Sequence, residues 1–269
     1  MNIWNKSRTV LSKPDCRSFV IVDRNRLVGT YTGYGSEAWT GVTGELSVII
    51  PTLDAATTIG ATFDALTGEA APLGEIIIVD GGSRDATMNI VAGQGAKFVA
   101  APTGRGSQLA QGARAATGRW YLFLHADTVL ERGWSEHVGR FMNHPDHVER
   151  AACFRFSLDD DARAARRLEA MVAWRSRVLG LPYGDQGLLI SAAFYESLGG
   201  FKPLALMEDV DMARRIGRRR LTMLDVEART SASRYQRSGY VVRSLRNLGC
   251  LTLYFLGVPV SLIARIYGR

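Results

Sequence analysis

Cysteine is scarce in this chain, and its three residues, Cys16, Cys153 and Cys250, lie far apart. An odd count without metal-like spacing argues against a disulfide framework and for a reducing compartment. No apolar run reaches the ~20 residues of a spanning helix; the uncharged run from Leu248 to Ala264 is broken by Gly257 and Pro259. No secretory signal is visible, because Lys6, Arg8, Lys13, Asp15 and Arg17 interrupt the N-terminus before any apolar stretch of sufficient length. The expectation is a cytoplasmic protein, free or peripheral on the inner face of the cell membrane. No G-x-G-x-x-G follows the first strong strand, which disfavours a Rossmann dehydrogenase.

What is present is a globular composition, 46% hydrophobic and 22% charged, over 269 residues. The net charge of +7 favours an anionic partner: nucleic acid, a phosphorylated small molecule or an acidic membrane. Residues 1–44 are punctuated by glycines and read as an N-terminal extension, either disordered or a hairpin of Phe19–Val22 and Leu27–Tyr31. Leu46 to Ile50 then forms a strong strand stopped by Pro51. Asp54 or Thr57 caps a helix with Ile59, Thr62, Phe63 and Leu66 on one face.

A second strand runs from Glu75 to Asp80 before Gly81-Gly82-Ser83 and a helix through Ile90 and Val91. A third covers Lys97 to Ala100. The loop Pro102 to Gly106 leads into a helix with Leu109, Ala113 and Ala116 inward, closed by Gly118. The fourth strand is Trp120 to Thr128, an apolar run of the kind buried on both faces of a parallel sheet. Strands alternating with helices predict right-handed βαβ units. Ligands then collect beyond the carboxyl ends of the strands, where His125 and Asp127 stand.

Further on, Ala152 to Leu158 reads as a strand, and Asp159-Asp160-Asp161 as charge complementing the dipole of a following helix. That helix carries Leu168, Met171, Val172 and Leu179. A loop Pro182 to Gly187, a strand Leu188 to Ser191, a short helix ending at Gly199-Gly200 and a helix opened by Met207 to Asp211 complete the pattern.

Taken in order, L-S-V-I-I-P-T, I-I-I-V-D-G-G-S-R-D-A-T, the G-R-G loop, F-L-H-A-D-T, G-D-Q-G, L-G-G-F and M-E-D-V-D resemble the inverting family 2 glycosyltransferases. The resemblance covers about Leu46 to Asp225. The H-A-D-T and G-D-Q forms, with the tail through Tyr254, Gly257 and Ile266-Tyr267, are similar to a bacterial subgroup.

The resemblance implies an α/β GT-A fold: a Rossmann-like, mostly parallel sheet flanked by helices, with a helical C-terminal segment. Residues 45–235 would form the transferase domain, with a nucleotide-binding half (45–128) and an acceptor half (129–235). Residues 236–269 would be an apolar and basic helical segment. Pro51, Thr52 and Asp54 would line the nucleobase pocket, shaped by Asp80 and Gly81, with Arg105 and Gly106 near the nucleotide. His125, Ala126 and Asp127 occupy the place of the Asp-x-Asp motif that ties the donor diphosphate to a divalent cation, Mn2+ or Mg2+, so Asp127 and His125 are the metal candidates. Asp209 matches the catalytic base and Glu208 its neighbour. Asp185 and Gln186 would fall near the acceptor or the transferred sugar.

Two departures stand out. Relatives commonly have two acidic residues where this chain has Asp80-Gly81, which leaves the base preference open. His125 replaces the first carboxylate of Asp-x-Asp; imidazole suits manganese or zinc better than magnesium, so His125 either ligates the metal or hydrogen-bonds a phosphate.

The chemistry fits these residue types. Loss of the diphosphate leaves negative charge that a cation neutralises, and an acceptor hydroxyl or carboxylate, with a lipid-like molecule among the candidates, is served by a positioned base. Plainer readings stand beside each role: a strand-end turn for Asp127, a helix cap for Asp209, a solvated loop charge for Arg105. Arg214, Arg215, Arg218 to Arg220, Arg243 and Arg246 beside the apolar tail suggest an anionic membrane contact with an apolar or lipid-linked acceptor. A helical hairpin packed on the core is the equal alternative. Nucleic acid is not expected. The rivals are a sugar-phosphate nucleotidyltransferase, whose Gly-rich activating loop is missing from Pro51 to Ala56, and a non-catalytic, membrane-associated nucleotide-sugar binder.

Overall fold

The computed structural model describes residues 19–20, 30–31, 45–69 and 73–267. Of the expected N-terminal hairpin only β1 (Phe19–Val20) and β2 (Thr30–Tyr31), paired antiparallel, fall within them; the rest of residues 1–44 lies outside the described residues.

Eight further strands form one sheet: β3 (Leu46–Thr52), β4 (Leu73–Asp80), β5 (Lys97–Ala100), β6 (Trp120–Phe123), β7 (Thr128–Leu130), β8 (Ala151–Leu158), β9 (Leu188–Ser191) and β10 (Leu221–Thr230). Their order is β5-β4-β3-β6-β9-β8-β10-β7. The chain steps outward from β3 to β5 and returns to lay β6 on the other side of β3, all four strands parallel. That reversal opens a crevice where the loops after β3 and β6 part. The other half is mixed: β9 runs antiparallel to β6 and β8, β8 and β10 are parallel, and β7 closes the edge antiparallel to β10.

Side chains alternate across the sheet. Leu46, Val48 and Ile50 of β3 pack toward α1 (Ile59–Thr67) and α4 (Trp134–Met142), through Phe63, Leu66, Trp134 and Val138. Ile49 instead joins Leu109 and Ala113 of α3 (Arg105–Ala115), Phe194 of α6 (Ala192–Ser197), and Met212 and Ile216 of α7 (Glu208–Ile216). Both faces are covered, which is why the strand shows no polar alternation. The short α2 (Thr87–Val91) contributes Val91 to the first of these layers.

Several local expectations are corrected. β3 continues through Pro51 to Thr52. Pro51 would present its N–H on the side of Ile49, where pairing with β6 ends at Phe123, so no ladder bond is lost. β6 stops at Phe123, because its antiparallel partner begins only at Leu188; Thr128 starts a separate strand. Neither Asp54 nor Thr57 caps α1, which starts after Thr58 without a side-chain cap. Gly118 does not close α3, which ends where Ala116 turns extended. On α5 (Arg163–Leu179), Leu168 and Val172 are buried, but Met171 and Leu179 are exposed. Asp160 accepts from the Ala162 N–H at the start of α5 and from Tyr240 and Gln236, while Asp159 accepts from Ala232 N–H. The acidic run therefore fastens the C-terminal helices as well as α5. The strands β7 and β10 and the helix α4 were not foreseen.

The C-terminal segment is α8 (Ser233–Ser238), α9 (Tyr240–Phe255) and α10 (Val260–Tyr267), with Gly257 and Pro259 making the turn of a helical hairpin. Leu251 of α9 packs on Val210 and Ala213 of α7. Val241, Leu245 and Leu248, at helical spacing, face solvent at 71%, 63% and 58% exposure. No helix among the described residues is long and apolar enough to cross a membrane.

Candidate active site

Strand register assembles the site. β6 and β9 pair with Phe123 opposite Leu188, so two residues beyond the ladder His125 meets the Gly184–Gln186 turn. β10 and β7 pair with Thr230 opposite Thr128, their hydroxyls 3.1 Å apart. This brings Ser231, whose N–H donates to the Asp127 carbonyl at 3.3 Å, and Arg234 to the same place. α7 enters with Glu208 and Asp209 in its first turn.

A cleft of about 370 Å³ results, lined in part by Arg105, His125, Asp127, Asp185, Glu208 and Asp209. Within it His125 Nδ1 lies 4.0 Å from Asp127 Oδ1, and Arg234 Nη2 lies 3.6 Å from Asp127 Oδ2. The Gly184 N–H donates to Asp209 Oδ2 at 2.8 Å. Arg105 Nη1 stands 3.5 Å from Glu208 Oε1. Burial alone would weaken the charge of Arg105, but Glu208, Asp209, Asp127 and Asp185 outweigh it and raise its pKa. Burial pushes the Asp185 carboxyl up to about 6, with Arg175 opposing and Asp209 and Asp127 adding to it; its Oδ1 is buried without a hydrogen-bond partner among the described residues.

The other predicted residues form a second, adjoining group at the ends of β3 and β4. Asp80 accepts four hydrogen bonds, from Thr52 and Ser83 hydroxyls and from the N–H groups of Gly82 and Ser83. Its carboxylate is thus spent on building the loop. Asp54, at φ 50°, accepts from Arg84 N–H and donates its own N–H to Ser83 Oγ. Pro51 is partly exposed and Thr52 buried. Gln108 of α3, which the sequence did not single out, donates to the carbonyls of Thr52 and Val79 at 2.8 Å each and packs against Gly81. α3 therefore joins the two groups, with Gly106 pressed under the backbone of Lys202 and Leu204. Ala126 is buried, its carbonyl held by Thr62 Oγ1.

Gln186 faces away from the cleft. It is fully buried, accepts from Ser176 Oγ at 2.8 Å and donates to the Phe154 carbonyl at 3.0 Å.

Beyond Arg234, which stands beside Asp127, the cleft is also lined by Tyr235, Arg243, Arg246, Asn247 and Tyr267. The sequence leaves Arg243 and Arg246 open between a membrane-facing surface and a hairpin packed on the core; their i, i+3 spacing with Asn247 at i+4 is the available sign of a shared polar face.

The mixed sheet, with its crevice at the switch between β3 and β6, is the nucleotide-binding α/β architecture of GT-A glycosyltransferases. The sequence profile of glycosyl transferase family 2 matches residues 47–196, more than half of the chain, and the protein belongs to that family. It is 35% identical over 91 residues to a PGL/p-HBAD biosynthesis glycosyltransferase of Mycobacterium tuberculosis, a match covering 31% of this chain and 36% of the relative. The chain thus matches only about a third of that relative's length. Among solved structures, glucosyl-3-phosphoglycerate synthase from M. tuberculosis in complex with Mn2+, UDP-glucose and phosphoglyceric acid is similar at a TM-score of 0.56 and 18% identity, covering 86% of this chain and 88% of that one. S. aureus TarS 1-349 in complex with UDP is similar at 0.55 and 18%, covering 70% and 61%. At these identities the likeness establishes the fold.

Proposed function

We propose that the chain transfers a sugar from a nucleoside-diphosphate sugar to an acceptor hydroxyl with inversion, Asp209 acting as general base. One observation carries the reading: Asp127 and His125, Asp209 and Arg105, drawn from three separate segments, converge on one cleft beside the crevice of the sheet. A positioned carboxylate taking the hydroxyl proton accelerates such a step by ~10²–10⁴-fold. Arg105 and Arg234 supply fixed positive charge where the departing diphosphate gains negative charge. Asp80 and Asp54 organise the loops of the nucleobase pocket, and Gln186 holds the turn that carries Asp185.

A divalent metal fits this donor set. His125 and Asp127 offer a nitrogen and an oxygen to one place, and no cluster of three or more His, Cys, Asp or Glu suited to a metal occurs among the described residues. Two protein donors completed by substrate phosphates are a usual arrangement for such ions, and the imidazole favours manganese. Bound there, the ion would neutralise charge on the diphosphate.

The test is a thermal-shift screen of nucleoside diphosphates and their sugars, with and without Mn2+. At least one should stabilise the protein in a metal-dependent way, lost in Asp127→Ala. No response to any of them would overturn the reading.

A second element concerns attachment. The solvent-facing stripe of Val241, Leu245 and Leu248, with Leu262 and Ile266 around the exposed Arg265 of α10, has the make-up of a helical surface that docks on anionic lipid. Flotation with anionic vesicles should carry the full chain but not Leu245→Ser/Leu248→Ser; equal flotation of both would remove this element.

A further inference from the structure

In its first half, before the buried Cys250 and Leu251, α9 lines the cleft with polar residues and shows apolar ones to solvent. Arg243, Arg246 and Asn247 face the cleft, whereas the leucines and valines one step round face solvent. A helix that merely packed on the core would show the reverse. The two arginines on the cleft wall therefore call for an explanation of their own.

Their orientation is fixed by aromatic rings and neutral oxygens. Arg243 Nη2 donates to the Tyr267 hydroxyl at 3.3 Å, and that hydroxyl donates to Asn247 Oδ1 at 3.2 Å. The Arg243 guanidinium stands 5.3 Å from the Tyr235 ring centre, and that of Arg246 stands 5.8 Å from the Tyr267 ring centre. Neither arginine forms an ion pair with a carboxylate among the described residues. Arg234, by contrast, is engaged by Asp127. The cleft thus has a carboxylate-rich part, where Asp127, Asp185 and Asp209 lie, and a lining from α8, α9 and α10 that adds two further cations, Arg243 and the more exposed Arg246. Planar guanidinium forks on a half-dry, aromatic wall are suited to phosphate or carboxylate.

We propose that Arg243 and Arg246 bind an anionic group carried by the acceptor, so that the acceptor is an acid, a phosphate ester or a carboxylate, and not a neutral alcohol. The inference rests on the transferase reading and narrows its substrate class. Arg105 and Arg234, beside Asp127, serve the donor diphosphate; Arg243 and Arg246 orient the acceptor so that its hydroxyl meets Asp209. The three elements that line this wall, α8, α9 and α10, thereby become part of the active site.

The test uses the full chain saturated with UDP and Mn2+, so that the donor diphosphate site is filled. Inorganic phosphate is then titrated against sodium chloride of equal ionic strength while the unfolding temperature is followed. Wild type should show a further, saturable rise, weakened roughly tenfold or more in Arg243→Gln/Arg246→Gln, with the UDP–Mn2+ response the same in both. A parallel titration without nucleotide reads the same wall should the donor carry another base. Sodium acetate in place of phosphate distinguishes the two acids, the tighter naming the group. No rise beyond chloride, an equal rise in variant and wild type, or loss of the UDP–Mn2+ response in the variant overturns the proposal, the last by assigning the arginines to the donor. Circular dichroism checks the fold, and Arg246→Gln alone, at an exposed position, serves if the double variant does not fold. A failed donor reading looks different: no nucleoside diphosphate responds while phosphate still does.

Discussion

The backbone N–H of Gly184 donates to Asp209 Oδ2 over 2.8 Å, which ties the turn before β9 to the first turn of α7. The same glycine touches the metal candidate: a Cβ built on it would lie 2.6 Å from His125 Nε2. The proposed base and the metal candidate are therefore held against one backbone position, 25 residues from one and 59 from the other in sequence number.

Asp209→Asn keeps the hydrogen bond from Gly184 but removes the proton acceptor. Transfer should fall by ~10²–10⁴-fold while the stabilisation by nucleoside diphosphate and metal stays as in wild type. Single-turnover rates beside thermal shifts make the comparison; an unchanged rate would exclude Asp209 as the base.

His125→Asp restores the usual acidic pair of the Asp-x-Asp position. The metal response should move from manganese toward magnesium, because an oxygen replaces the nitrogen donor. The concentration of each ion giving half-maximal nucleotide-dependent stabilisation reports it. The same Mn2+ to Mg2+ ratio in both proteins would show that His125 is no ligand.

Asp185 gives a pH signature. Burial raises its folded pKa to about 6, above the ordinary aspartate value, so the folded protein holds this proton more tightly than the unfolded chain. The stability it contributes is complete below the unfolded value and is lost as pH rises through about 6. Asp185→Asn should therefore gain stability over wild type above pH 6, on the order of 1–3 kcal/mol, with the gap closing toward pH 4. Urea unfolding of both proteins from pH 4 to 8 measures it.

Gly106→Ala opposes helix propensity to packing. Propensity favours alanine by about 1 kcal/mol within a helix, yet a Cβ here would lie 2.3 Å from the Lys202 carbonyl oxygen and 2.9 Å from Leu204 backbone atoms. Backbone cannot yield as a flexible side chain does, so a net loss of about 1–3 kcal/mol is expected. A denaturant midpoint equal to or above wild type would refute it.

Much of the first half was legible. The apolar runs of β3 to β6 and the helical spacing of Ile59, Thr62, Phe63 and Leu66 carry local signals strong enough to name the elements in order. The second half was harder: β10 has a mixed pattern along its length, because it pairs with β8 on one side and only partly with β7 on the other. Gln186 is a site candidate through the G-D-Q motif of the resemblance; only its partners Ser176 and Phe154 reveal that it points away from the cleft.

What the sequence by itself determined is which polar residues close the apolar runs: local apolar length and turn chemistry put His125, Asp127 and Asp80 at the carboxyl edge of the sheet, although β6 itself stops at Phe123. What only the tertiary structure decided is who meets there. Register along β6–β9 and β7–β10 brings Gly184 and Arg234 to the HAD turn, and the packing of Leu251 on α7 swings α9 so that Arg243 and Arg246 face the cleft. Those meetings depend on contacts between segments far apart in the chain, for which no local pattern carries the information.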